Sequence, residues 1–191
     1  MKRNSKNWIY SLLSVGSVLI FGSSCRKNNP APTVYALISS GGQHAMARKT
    51  DGTLWAWGWN SVGQLGDGTI LNKNAPEQIG PGYTLIAGGG SHSMALKQDG
   101  SIWTWGFNAN GQMGDGTTIG KNSPVQIGTG FTSISAGGAY SVGMKSDGSL
   151  WTWGYNIFGQ LGDGTNADKS VPIQVGSGYT SISAGGAIVL P

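Results

Sequence analysis

From residue 35 onward the chain alternates short apolar runs with polar turns marked by glycine. The stretch 131–178 illustrates the pattern. "FTSISAGG" is a short strand that ends in glycines. "YSVGMKSDGSLWTWG" places Asp147-Gly148 between two alternating runs, a strong signal for a two-residue hairpin loop. The period of two along a strand sets Leu150 and Thr152 opposite to Trp151 and Trp153. "YNIFGQLGDGTNADKS" is loop-like, and "VPIQVGSG" is a strand whose proline suits a sheet edge. No stretch after the first 24 residues sustains a helical period, so the expected fold class is all-β with about four short strands per unit.

The pattern recurs every 48 residues. Asp51-Gly52, Asp99-Gly100 and Asp147-Gly148 mark it, as do Trp55, Trp103 and Trp151. The units are 35–82, 83–130 and 131–178, with a fragment at 179–191. A repeat of this length with about four strands predicts propeller blades, because one such sheet cannot bury both faces and stacked neighbours can. The segment "AGGGSHSMALKQDGSIWTWGFNANGQMGDGT" (87–117) and its two other copies resemble the repeat of the regulator of chromosome condensation family. The resemblance extends over about residues 35–188 and implies a seven-bladed propeller, with secretion in many bacterial members. The family's known roles differ widely: one eukaryotic member exchanges guanine nucleotide on a small GTPase and touches chromatin, and one secreted bacterial member inhibits β-lactamase. Three units and a fragment do not close such a ring. The expectation is that further C-terminal blades are missing, with a homo-oligomer or a capped open arc as alternatives, since nothing near the end reads as a polar capping repeat.

The first 24 residues have a different organisation. Residues 1–7 are basic, 8–21 apolar and 22–24 small, which is the layout of a helical export signal. The apolar stretch is shorter than the roughly 20 residues of a spanning helix. Cys25, the sole cysteine of the chain, follows directly. Its position resembles the lipobox of bacterial lipoproteins, although Gly22 stands where a large aliphatic is usual. The resemblance implies cleavage before Cys25, lipid attachment there, and a polar tether over 25–34 holding the protein to a membrane of the cell envelope. With one cysteine, no internal disulfide or Cys-based metal site can form.

Composition removes several functions. The net charge of +4 is concentrated in the leader; without residues 1–24 there remain 9 basic and 8 acidic residues, too even a balance for a nucleic-acid groove. His44 and His92 share one repeat position, but Tyr140 holds it in the third unit, so they read as hydrogen-bonded strand residues. Asp67, Asp115 and Asp163 each stand alone in "GDGT", where a turn former is expected in place of a calcium ligand. The glycines lack phosphate-loop spacing, and no serine has a nucleophile context. No catalytic set, metal site or cofactor is expected.

The positions that vary between units are the more informative. Trp59, Phe107 and Tyr155 follow each Trp-Gly, and Val62, Asn110 and Phe158 lie in the diverging loops after them. A second divergent stretch covers 70–74, 118–122 and 166–170, with Lys73, Lys121 and Lys169 recurring. A fixed framework with variable loops is how repeat scaffolds present a binding surface, while aromatics kept in every unit also suit packing between blades. The expected function is non-catalytic binding of another protein at the cell envelope. A carbohydrate- or wall-binding module is the alternative, and a nucleotide exchange factor the most remote.

Overall fold

The computed structural model describes residues 34–186. The export signal, Cys25 and most of the tether lie outside the described residues, as do 187–191.

Twelve strands form three four-stranded antiparallel sheets, each built from consecutive strands. The first blade comprises β1 (Tyr35–Ser40), β2 (His44–Lys49), β3 (Leu54–Gly58) and β4 (Lys73–Gly80). The second comprises β5 (Tyr83–Gly88), β6 (His92–Lys97), β7 (Ile102–Gly106) and β8 (Lys121–Gly128). The third comprises β9 (Phe131–Ala136), β10 (Tyr140–Lys145), β11 (Leu150–Gly154) and β12 (Lys169–Gly176). The all-β, propeller-type expectation therefore holds. Pro76, Pro124 and Pro172 lie in the outermost strand of each sheet, where a missing N–H costs no central ladder bond. That strand starts at Lys169 in the third blade, two residues earlier than the sequence pattern suggests.

The Asp-Gly hairpins are wider than the two-residue loop expected. Lys49 N–H donates to Thr53 O at 2.9 Å and Gly52 N–H to Lys49 O at 3.0 Å. Three residues thus form the loop, closed by Gly52 in the left-handed region at φ 82°. The cause is the aspartate. Asp51 Oδ1 accepts from the Thr53 amide at 2.9 Å and hydroxyl at 2.7 Å, which draws one more residue into the turn.

The alternation in the Trp-x-Trp strands is as expected. Trp105, fully buried, and Trp103 face the first blade and pack with Met46, Leu54 and Leu65. Thr104 points the other way and donates to Met113 O of its own loop. Trp153 and Trp151 repeat the arrangement against Met94, Ile102 and Phe131. Truncating a buried tryptophan costs roughly 3–5 kcal/mol, so these side chains hold the stack together.

Adjacent blades approach closely along their first strands, β1 on β5 and β5 on β9. There Gly42 N–H donates to Gly90 O and Gly90 N–H to Gly138 O, at 3.2 and 3.0 Å. A Cβ on Gly42 or Gly90 would lie 2.6 or 2.5 Å from the next blade's carbonyl oxygen, so the backbones touch only because no side chain intervenes. Residues 179–186 continue the register. Tyr179 N–H donates to Gly148 O and Ala184 N–H to Ser135 Oγ, as Phe131 does to Gly100 and Gly88 to Ser39.

Candidate binding rim

The chain direction alternates within each blade, so the Asp-Gly hairpins lie at one end of the stack and the loops 59–72, 107–120 and 155–168 at the other. The long loops form the candidate rim. Each is organised by a buried asparagine. Asn60 Nδ2 donates to Asp67 Oδ1, Thr69 O and Leu71 O at 3.1–3.2 Å, while its Oδ1 accepts from Leu65 N–H at 2.9 Å. Asn108 and Asn156 repeat all four bonds.

The three loop aspartates serve this framework. Burial acts to raise the Asp67 pKa, but bonds from the Thr69 amide and hydroxyl, Lys73 and Asn60 outweigh it and hold the carboxyl below its ordinary range. Lys73 pairs with Asp67 at 3.2 Å and Lys169 with Asp163 at 3.0 Å. The histidines are structural as well. His44 Nε2 bonds Ser93 Oγ at 2.8 Å and His92 Nε2 bonds Ser141 Oγ at 2.9 Å, each across a blade interface. Burial lowers their pKa values to about 4 and about 3, with each other's charge a further cause at His92. Both are neutral at pH 7 and hydrogen-bonded within the stack.

The loop also fills the space between blades. Gly68 N–H donates to Asn122 O at 2.8 Å, and Asn122 Nδ2 returns to Gly68 O at 2.7 Å. Gln64 O accepts from both Trp105 Nε1 and Ser93 Oγ of the next blade.

The residues expected to bind are placed unequally on the rim. Trp59 and Tyr155 are half-buried, each partly packed against the framework, whereas Phe107 is 38% exposed. Phe158 is 78% exposed and meets Tyr155 edge to face at 6.2 Å. Val62 and Phe107 meet in one groove of about 470 Å³ between the first and second blades, completed by Ile70, Gly120, Lys121 and Asn122. Asn110 does not join an open groove; its Nδ2 donates to Asp168 Oδ2 of the third blade at 3.0 Å. Ile70, Leu71, Ile119 and Ile157 are exposed rim residues beyond those expected. All four sit in loop stretches that diverge between units, which was the available signal.

The sequence matches the regulator of chromosome condensation (RCC1) repeat three times, over residues 51–96, 99–144 and 147–190. The chain belongs to the RCC1 repeat family. Prp20p from Saccharomyces cerevisiae, whose structure was described with its binding to Gsp1p and histones, is similar at 25% identity and a TM-score of 0.70. The match covers 80% of this chain and 42% of Prp20p. Human WBSCR16 has the same RCC1-type fold, with a TM-score of 0.71 at 24% identity over 80% of this chain and 43% of that one. The ultraviolet-B receptor UVR8 of Arabidopsis thaliana is 48% identical over 42 residues, which are 22% of this chain and 10% of the receptor. The chain thus spans less than half the length of these RCC1-type relatives.

Proposed function

We propose that this chain is a non-catalytic binding protein of the cell envelope, holding another protein on the rim formed by loops 59–72, 107–120 and 155–168. The observation that carries the reading is the contrast within each loop. An asparagine-centred frame is identical in all three blades, while the side chains it lifts to the surface differ, with Ile70, Ile119 and Phe158 each more than half exposed. Rigid presentation of apolar groups suits protein contacts, because little ordering entropy is lost on binding. The half-burial of Trp59 and Tyr155 favours a protein partner over a glycan, since sugar platforms use flat aromatic faces open to solvent. A distantly similar protein, Prp20p, binds proteins, which agrees with the class of function though not with any particular partner.

The envelope location rests on the leader and Cys25. Export, cleavage before Cys25 and lipid attachment there would orient the rim away from the membrane on its tether. Incorporation of radiolabelled palmitate that disappears in Cys25→Ser is the expected result; labelling that persists in the variant removes the anchor from the proposal.

The rim itself is tested with a photo-crosslinking amino acid placed in cells at Ile119 or Phe158, and at Lys49 on the opposite end. Adducts with one protein from both rim positions and none from Lys49 are expected. Equal adducts at both ends would overturn the reading.

A further inference from the structure

The groove between the first and second blades has an internal control, because the second and third blades bring equivalent residues to the corresponding place. Asn110, Thr118, Tyr155, Asp168 and Lys169 there stand for Val62, Ile70, Phe107, Gly120 and Lys121. The difference centres on Gly120. In the other two blades that position carries a side-chain oxygen that accepts from the amide of the loop asparagine: Asn72 Oδ1 from Asn60 N–H at 2.8 Å, and Asp168 Oδ1 from Asn156 N–H at 2.7 Å. Gly120 has no side chain, and the Asn108 N–H has no acceptor among the described residues.

Lys121 departs from its counterparts in the same way. Lys73 and Lys169 pair with the aspartate of their own loop, whereas Lys121 makes no ion pair within 4 Å among the described residues and lines the groove. The groove thus joins an apolar wall of Val62, Ile70 and Phe107 to Lys121, whose charge acts on Asp115 without a direct ion pair, and to Gly120, the position from which the other blades supply the acceptor for the asparagine N–H. Both polar groups call for an anionic oxygen acceptor, and the third blade supplies the pattern, since a carboxylate, that of Asp168, occupies this place there.

We propose that the groove takes a segment of the partner protein in which an apolar side chain lies next to a carboxylate. The carboxylate accepts from Asn108 N–H and pairs with Lys121. The apolar side chain packs on Val62, Ile70 and Phe107. This rests on the rim being a protein-binding surface, and it names the chemistry recognised there. Gly120 is the determinant, because it offers no acceptor where Asn72 and Asp168 supply one from within the chain.

The test is to pan random seven-residue peptides, displayed on phage, against the purified full chain, then measure Kd for individual synthetic winners. Peptides pairing Asp or Glu with an aliphatic or aromatic neighbour are expected. Replacing that acid by its amide should weaken binding at least about tenfold, as should Lys121→Glu. Gly120→Asp places a Cβ 2.8 Å from Gly106 O, so the loop must shift slightly to supply the carboxylate internally; it should then compete the peptide out, and Phe158→Ala should change nothing. The Asn108 amide resonance should shift on peptide addition in the unmodified protein, a readout independent of how any variant folds. Winners without an acid, or whose Kd ignores Lys121→Glu, overturn the proposal. If binding is lost with Phe158→Ala instead, the rim reading stands and the groove does not. If no peptide binds, the groove proposal fails, while the crosslinking at Ile119 and Phe158 decides the rim separately. Phenylbutyrate binding as tightly as the peptides would mean a site for small carboxylic acids and overturn the assignment to a protein segment.

Discussion

The loops leaving the second and third blades read "GQMGDGT" and "GQLGDGT", yet they lie in opposite surroundings. A Cβ on Gly111 or Gly114 would meet Ser170 or Trp153 of the next blade at 2.6 Å, whereas one on Gly159 or Gly162 would meet nothing within 4 Å among the described residues. The backbone does not register the difference. The three glycines have φ of 75, 80 and 81° in the covered loop and 73, 72 and 78° in the uncovered one. The four bonds of the loop asparagine are also the same in both. Each blade therefore shapes its loop from within, and the neighbour only docks on it. Contact contributes stability here, and conformation does not depend on it.

The sharpest way to break this comparison is to add one methyl group to each loop. Gly114→Ala meets both an unfavourable positive φ and the Trp153 indole, and should cost roughly 4 kcal/mol in urea denaturation. Gly162→Ala meets only the φ term, about 1–2 kcal/mol. Equal losses would mean that the third loop is covered in solution.

Acid should separate the blades next. His44 is buried and neutral with its pKa lowered from 6.5 to about 4, so the unfolded chain binds the proton first. Its contribution is fully present above pH 6.5 and lost as the pH falls toward 4, by roughly 3 kcal/mol. His92 adds to the same slope, with its window reaching about pH 3. His44 bonds Ser93 across the first interface and His92 bonds Ser141 of β10 across the second, so hydrogen exchange at pH 4 should show protection lost at both interfaces. His92→Tyr should flatten the dependence.

The asparagines sharpen the other half of the comparison. Asn108→Ala and Asn156→Ala should each cost roughly 2–3 kcal/mol and agree closely, because their bonds lie within one blade. A much smaller loss for Asn156→Ala would show that the covered loop is held by its neighbour after all. The smallest effect concerns the indoles. Trp105 Nε1 donates to Gln64 O, while Trp153 Nε1 is buried without a partner among the described residues. Trp105→Phe should exceed Trp153→Phe by about 1 kcal/mol, one hydrogen bond.

The all-β repeat architecture with four strands per unit was legible in the sequence, because 48-residue spacing and Trp-x-Trp alternation report contacts that recur in every unit. Val62 and Phe107 were legible as divergent aromatic or apolar positions. Their meeting in one groove was not, since it joins the loops of two different units. The Asn110–Asp168 bond, spanning 58 positions, was hidden for the same reason. Gly120 carried the one readable hint: a glycine where the other units have Asn72 and Asp168, each an oxygen-bearing side chain. The three-residue Asp-Gly hairpin was missed because the aspartate carboxylate accepts from the amide two residues on, a contact outside the usual dipeptide.

The glycine contacts between Gly42, Gly90 and Gly138 bear on a larger dimension. Blades that touch backbone to backbone along one edge, and are held apart by a folded loop along the other, are wedges. The angle of each wedge is the difference between a bare peptide and a loop one chain thick. Curvature is then a property of the single repeat, fixed before any neighbour arrives. A methyl group at Gly90 would thicken the narrow edge and open the arc, so the number of blades that complete a circle is encoded in the thickness of these glycine contacts.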